Sequence, residues 1–128
     1  MESISYWAPC LDKVGTYNAV INSALSLAKY SKKSINVNII NVCGEWDDQK
    51  DFFKKNNIEL IDINYSYFKY LPKRGYLGSR VSYVIITLLS IIPLIIFLKK
   101  KKPQFFIGHL ITALPIILFN LFNFDTKF

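Results

Sequence analysis

The sequence predicts an α/β fold: a Rossmann-like parallel sheet carrying one strongly apolar, membrane-associating helix. Three observations lead there. Residues 1–62 alternate strand-like and helix-like apolar patterns in the order β-α-β-α-β with short links, which is how a parallel sheet is built. Val81–Leu98 is a run of eighteen residues without a charge, close to the about 20 residues that cross a bilayer. Charge divides the chain as well. Residues 1–62 hold seven Lys against eight Asp/Glu, whereas residues 63–124 hold eight Lys/Arg and no acidic residue. Positive charge beside apolar surface suits an anionic membrane face. Nucleic acid would instead call for a solvated basic face, so a nucleic-acid partner is not expected.

The elements follow in order. Ile4–Ala8 is a short apolar strand ended by Pro9. Gly15-Thr16 opens a helix in which Tyr17, Val20, Ile21, Ala24, Leu25 and Ala28 recur at three- and four-residue steps, one apolar face through Tyr30. Ser31-Lys32-Lys33-Ser34 ends it. Ile35–Val42 sets Ile35, Val37 and Ile39 inward and Asn36 and Asn38 outward, as an alternating strand does. A short helix is expected around Asp48–Lys55, and Ile58–Ile63 is the third strand.

Tyr65–Arg80 is aromatic and basic, and Pro72, Gly75 and Gly78 predict a loop. Its Tyr rings and its Lys69, Lys73, Arg74 and Arg80 are side chains that settle at the lipid headgroup level. Val81–Leu98 follows as the membrane-associating helix, with Pro93 inside it. A helix packed on the sheet, apolar all round because it is buried, fits the same run. Lys99-Lys100-Lys101-Lys102 then forms a second basic cluster. Phe105–Phe124 is twenty uncharged residues and reads in two ways. One is a second continuous span. The other is a buried strand Phe105–Gly108, a loop His109–Thr112 and a helix Ala113–Phe122, which Pro103 and Pro115 favour. A two-span hairpin would put the lysine corner opposite the cytosol, against the positive-inside tendency. At most one span, or an in-plane helix, is therefore expected.

The chain has 128 residues and is 52% hydrophobic, which bounds it to one domain. Cys10 and Cys43 sit at strand ends, too few and too far apart for a metal site, and are expected to be buried free thiols. No metal site, P-loop or nucleophile–base pair is predicted. Met1–Ala8 contains Glu2 and no apolar core, so no signal peptide is read there and the amino terminus is expected in the cytosol.

The order of these features resembles the amino-terminal domain of bacterial GT-B glycosyltransferases of family 4. The resemblance rests on a strand, a loop with Gly15, a helix with a small-apolar face, the strand at Ile35–Val42, and Lys-Pro-Gln-Phe-Phe-Ile-Gly-His at Lys102–His109. It covers nearly the whole chain, and its specificity lies in order and spacing. It implies an acceptor-side domain that helps move a sugar from a nucleotide-sugar donor to a lipid, polysaccharide or small acceptor. It also implies docking on the cytoplasmic leaflet of the bacterial inner membrane and no cofactor. Gly15 would admit a phosphate or acceptor close to the backbone, although an ordinary strand-to-helix turn explains it equally. Thr16 would offer an amide to an oxyanion at the helix start. His109, at the carboxyl end of its strand, would bond a sugar or acceptor hydroxyl, or be simply structural.

The departures are equally specific. The usual paired glycines are reduced to Val14-Gly15, and Gln104 replaces the usual Asp. The family's carboxy-terminal donor domain, with two glutamates eight apart, has no counterpart in Glu2, Glu45 and Glu59. Asp47-Asp48 is not a metal-binding Asp-x-Asp. Thr126-Lys127-Phe128 looks like the start of a further strand, so a truncated chain without transferase activity alone is expected. Three functions follow: an acceptor-side glycosyltransferase domain completed by a donor-binding domain or chain, a non-catalytic membrane anchor for such a chain, or a small integral membrane protein.

Overall fold

A computed structural model describes residues 2–13, 15–31, 34–63, 66–109, 114–122 and 125–127. Its elements are β1 (Glu2–Trp7), α1 (Gly15–Tyr30), β2 (Ile35–Asn41), α2 (Lys50–Lys55), β3 (Ile58–Asp62), α3 (Tyr76–Lys101), β4 (Phe105–Gly108) and α4 (Leu114–Phe122). The four strands are all parallel, in the order β3-β2-β1-β4. Lys127 makes a parallel bridge with Phe105 outside β4. Val14, Lys32, Lys33, Tyr65, Phe128 and the predicted loop and helix-start residues 110–113 lie outside the described residues.

The strand order reverses at β1, and the reversal decides which face each helix covers. From β1 to β2 to β3 the chain steps one way, and α1 and α2 pack on one face. There Tyr6, Val37 and Ile39 meet Tyr17, Val20, Ala24 and Phe53. From β3 the chain crosses back past β1 to β4, and right-handed crossovers then require α3 on the opposite face. On that face Trp7, Ile40 and Phe106 meet Ile86, Leu94, Phe97, Leu98 and Leu118. Lifting α3 from the sheet would return Trp7, Ile40 and Phe106 to water at about 1.5–3 kcal/mol each.

Burial on both faces corrects the expected alternation of β2. Asn36 is exposed, but Asn38 is buried and donates from Nδ2 to Ser5 Oγ at 3.4 Å. A parallel sheet covered on both sides has no solvent face for Asn38 to reach.

Helix α3 is longer than the apolar run. The predicted loop 65–80 holds a 3₁₀ turn at Ser66–Tyr70, and its last five residues already belong to α3. Gly75, at φ +89°, turns the chain into the helix. Ser79 and Ser82 hydroxyls donate back to the Gly75 and Gly78 carbonyls at 2.8 and 2.9 Å. At the other end Lys99, Lys100 and Lys101 continue the helix because lysine is a good helix former and its charge suits the last turn. Lys102 closes it in the left-handed region, φ +43°, its N–H donating to Leu98 O at 3.0 Å. The second apolar run forms β4 and α4, not a continuous span.

Candidate functional site

The carboxyl ends of β1 and β2 open on a cleft of about 390 Å³. Its walls come from the loop after β1 (Cys10, Leu11, Asp12, Lys13), the start of α1 (Tyr17) and the loop after β2 (Cys43, Gly44, Glu45, Asp47, Asp48). Lys73, from the segment leading into α3, completes it. A parallel sheet places its ligand crevices at this edge because every strand delivers its following loop there.

The loop after β2 is fixed from beneath. Trp46 is fully buried, with Tyr17 lying flat on it at 4.6 Å between ring centroids and Phe53 edge-on at 5.9 Å. Asn41, the last residue of β2, accepts the Trp46 N–H at 3.3 Å and donates to Asp47 Oδ1 at 2.9 Å. Lys50 ties Asp47 to Asp62 at the end of β3, at 3.1 and 3.4 Å. Gly44 turns the chain at φ +82°.

Glu45 folds back onto the strand it follows. Its Oε1 accepts from Val42 N at 3.2 Å and its Oε2 from Cys43 N at 2.7 Å. The residue is partly accessible, but its carboxylate is turned inward. Burial pushes that carboxyl up to about 7, against the pull of the backbone amides. With both oxygens engaged, Glu45 serves as a cap on the end of β2. The thiols are inert: burial raises Cys10 to about 12 and raises Cys43 further. Both are free and buried, as their positions at strand ends predict. Neither is a thiolate near neutral pH, so neither is a nucleophile there.

The rim is polar and paired. Lys13 contacts Asp48, whose carboxyl that ammonium holds below the usual range. Tyr17 donates its hydroxyl to Asp48 Oδ1 at 3.4 Å, and Arg74 Nε lies 3.7 Å from Asp12 Oδ2. Among the described residues no group of three or more His, Cys, Asp or Glu is placed to hold a metal. Ammonium, carboxylate and phenol groups around an open cleft, four carboxyls against two lysines, are suited to recognising hydroxyls.

Of the residues singled out from the sequence, Lys73 lies in this cleft, and Gly15, Thr16 and His109 are not among its lining. Gly15 begins α1, and a Cβ there would meet nothing within 4 Å. Thr16 stands partly exposed in the first turn. His109 directly follows β4 and extends its ladder, its N–H donating to Trp7 O at 2.8 Å. The imidazole lies parallel to the Tyr6 ring at 6.2 Å. That position is the junction of β1 and β4, where the strand order reverses. Spacing alone gives Tyr17, Glu45 and Asp48 no site role. The available signal was a polar stretch, Gly44-Glu45-Trp46-Asp47-Asp48, directly after a strand.

The basic residues fall at the two ends of α3. Near its start Arg80 stacks over Tyr76 at 3.9 Å and Lys69 over Tyr70 at 5.5 Å, with Lys73 and Arg74 between them. Near its end Lys99 lies over Phe122 at 5.7 Å, and Lys100 and Lys102 are exposed. Lys101 is turned to β3, bridging Glu59 at 2.9 Å. Helix α3 is long and apolar enough to cross a membrane, with 33% of its most apolar window buried. Compared with known protein families, curated proteins and solved structures, the chain matches none.

Proposed function

We propose that this chain is the acceptor-side domain of a membrane-associated glycosyltransferase, passing sugar from a nucleotide-sugar donor to a lipid or polysaccharide acceptor. It works at the cytoplasmic face of the bacterial inner membrane and needs a donor-binding domain or chain to act. The observation that carries this reading is the reversal of strand order at β1, with a polar cleft at the carboxyl edge and a lipid-compatible helix on one face. The order β3-β2-β1-β4 is that of the first four strands of a Rossmann-type sheet, whose ligands sit at this edge beside the reversal. His109 lies at that point, and the cleft's paired charges fit a hydroxyl-rich acceptor.

The test is a titration of the folded chain, followed by NMR, with a short-chain lipid-linked sugar, a soluble oligosaccharide and a nucleotide sugar. Acceptor-type ligands are expected to perturb residues around Lys13, Lys73 and His109, and His109→Ala to weaken binding. Binding of none of the three sinks the reading. The exposed apolar stripe of α3 supports a second reading, a non-catalytic membrane anchor for a donor-binding chain. Vesicle binding without any acceptor binding would select it.

A further inference from the structure

Helix α3 presents two unlike faces. The face against the sheet includes Ser82 and Ser90, both fully buried. The opposite face carries Leu77, Val81, Val84, Leu88, Ile92 and Ile96, each between 53% and 74% exposed. The outer face is as aliphatic as the buried one, where Ser82 and Ser90 lie among Ile86, Leu94, Phe97 and Leu98. A soluble helix turns polar side chains outward instead, because its outer face meets water. Beside the end of α3, α4 adds Ile117 and Leu121, at 50% and 70% exposed.

We propose that α3 and α4 form a monotopic lipid-embedded face, with α3 lying in the plane of an anionic bilayer, its outer stripe among the acyl chains, and not crossing. This rests on the membrane-associated part of the reading above and fixes how the membrane is met. Three observations choose in-plane over crossing. Crossing would carry the open-edged sheet into the hydrocarbon, since Ile86, Leu94, Phe97 and Leu98 hold α3 to it. The Lys101–Glu59 bridge holds its end to β3. The basic groups occur at both ends of α3, Arg80 beside Tyr76 at one and Lys99 and Lys100 at the other. In the plane both ends meet the headgroups of one leaflet, while a crossing would send them to opposite sides. With no acidic residue between 63 and 124, that leaflet is expected to be anionic.

The test uses the full chain with vesicles of phosphatidylcholine alone or mixed with phosphatidylglycerol. Single environment-sensitive labels are placed at Val81→Cys, Leu88→Cys and Ile96→Cys, with Ser26→Cys on α1 as the control. Buried Cys10 and Cys43 do not compete for label. The proposal expects binding at least about tenfold tighter to the anionic vesicles. It also expects all three α3 labels at one shallow depth by lipid-borne quenchers and an unchanged Ser26 label. The Leu88→Glu, Ile92→Glu double variant should lose binding by about tenfold or more with its circular dichroism unchanged. Vesicle binding with the Leu88 label deepest would mean a crossing helix, overturning the proposal while leaving a membrane-associated domain. No vesicle binding, with a dimer in sedimentation, would assign the stripe to a second copy and overturn both.

Discussion

Tyr17 lies flat on Trp46, planes 15° apart, so that the first helix and the loop after the second strand share one wall of the cleft. Stacked aromatic pairs contribute about 0.5–1.5 kcal/mol beyond the area they bury. Tyr17→Leu keeps most of the apolar volume and removes the stack and the hydroxyl that reaches Asp48. Urea unfolding is expected to show a loss of about 1–2 kcal/mol. Tyr17→Phe should lose well under half of that, because the hydroxyl bond is long and partly wet. Equal losses would mean that the hydroxyl, not the ring, holds the wall.

Gly44 is a backbone requirement. Its φ of +82° is unfavourable for any residue with a Cβ, and a Cβ there would meet Asp47 Oδ2 at 3.0 Å. Gly44→Ala is expected to cost about 1–2 kcal/mol. Because Asp47 is bonded to Asn41, the displacement should also appear as amide shifts around Asn41 and Trp46. An alanine variant as stable as the parent would show that the loop adopts another conformation.

The fold was legible where periodicity carried it. The steps of Tyr17, Val20 and Ala24 and the β-branched run at Ile35–Asn41 identify α1 and β2 from spacing alone. The apolar run at Phe105 was also separable into β4 and α4, because Pro103 and Pro115 punctuate it. Alternation points Asn38 outward because it assumes one wet face, and only the crossover of α3 reveals that both faces are covered. The true start of α3 was hidden because Gly75, Gly78 and Pro72 look like loop residues, though Gly75 and Pro72 only bring the chain to the helix. The cleft was the least legible part. Its residues come from four separate segments, and a strand-end stretch such as Gly44–Asp48 acquires meaning only when Lys13, Tyr17 and Lys73 are brought against it.

The two faces of α3 should respond oppositely to the same truncation. Leu94 is fully buried against the sheet, and Leu94→Ala is expected to cost about 2–5 kcal/mol. Ile92, two residues away and 68% exposed, should cost within about 0.5 kcal/mol in water when changed to Ala. Ser90→Ala is expected to be neutral or stabilising, since its buried hydroxyl has no hydrogen-bond partner among the described residues. Thermal melts of the three variants check this ordering. Similar losses at Ile92 and Leu94 would mean that the outer stripe is already covered in solution.

Glu45 should make stability depend on pH in an unusual direction. Its carboxyl titrates near 7 when folded, against 4.5 as the ordinary value. Between these values the folded chain holds a proton that the unfolded chain releases. The stability linked to this group is therefore full below about pH 4.5 and falls as pH rises. It is fully lost above about 7, for a total on the order of 3 kcal/mol. Asp48, lowered by Lys13, works the other way, stabilising above its unfolded range and losing that contribution as pH falls. Comparing the parent with Glu45→Gln removes Asp48 and every other shared group from the difference. The glutamine cannot ionise, and its carbonyl still accepts from Cys43 N–H, so the cap is retained in part. Urea unfolding at pH 5, 6, 7 and 8 is expected to show the parent losing stability relative to Glu45→Gln across pH 5–7, with little further change by pH 8. Parallel curves at all four values would mean that Glu45 ionises in the folded chain as readily as in water, and its inward placement on the end of β2 would be wrong.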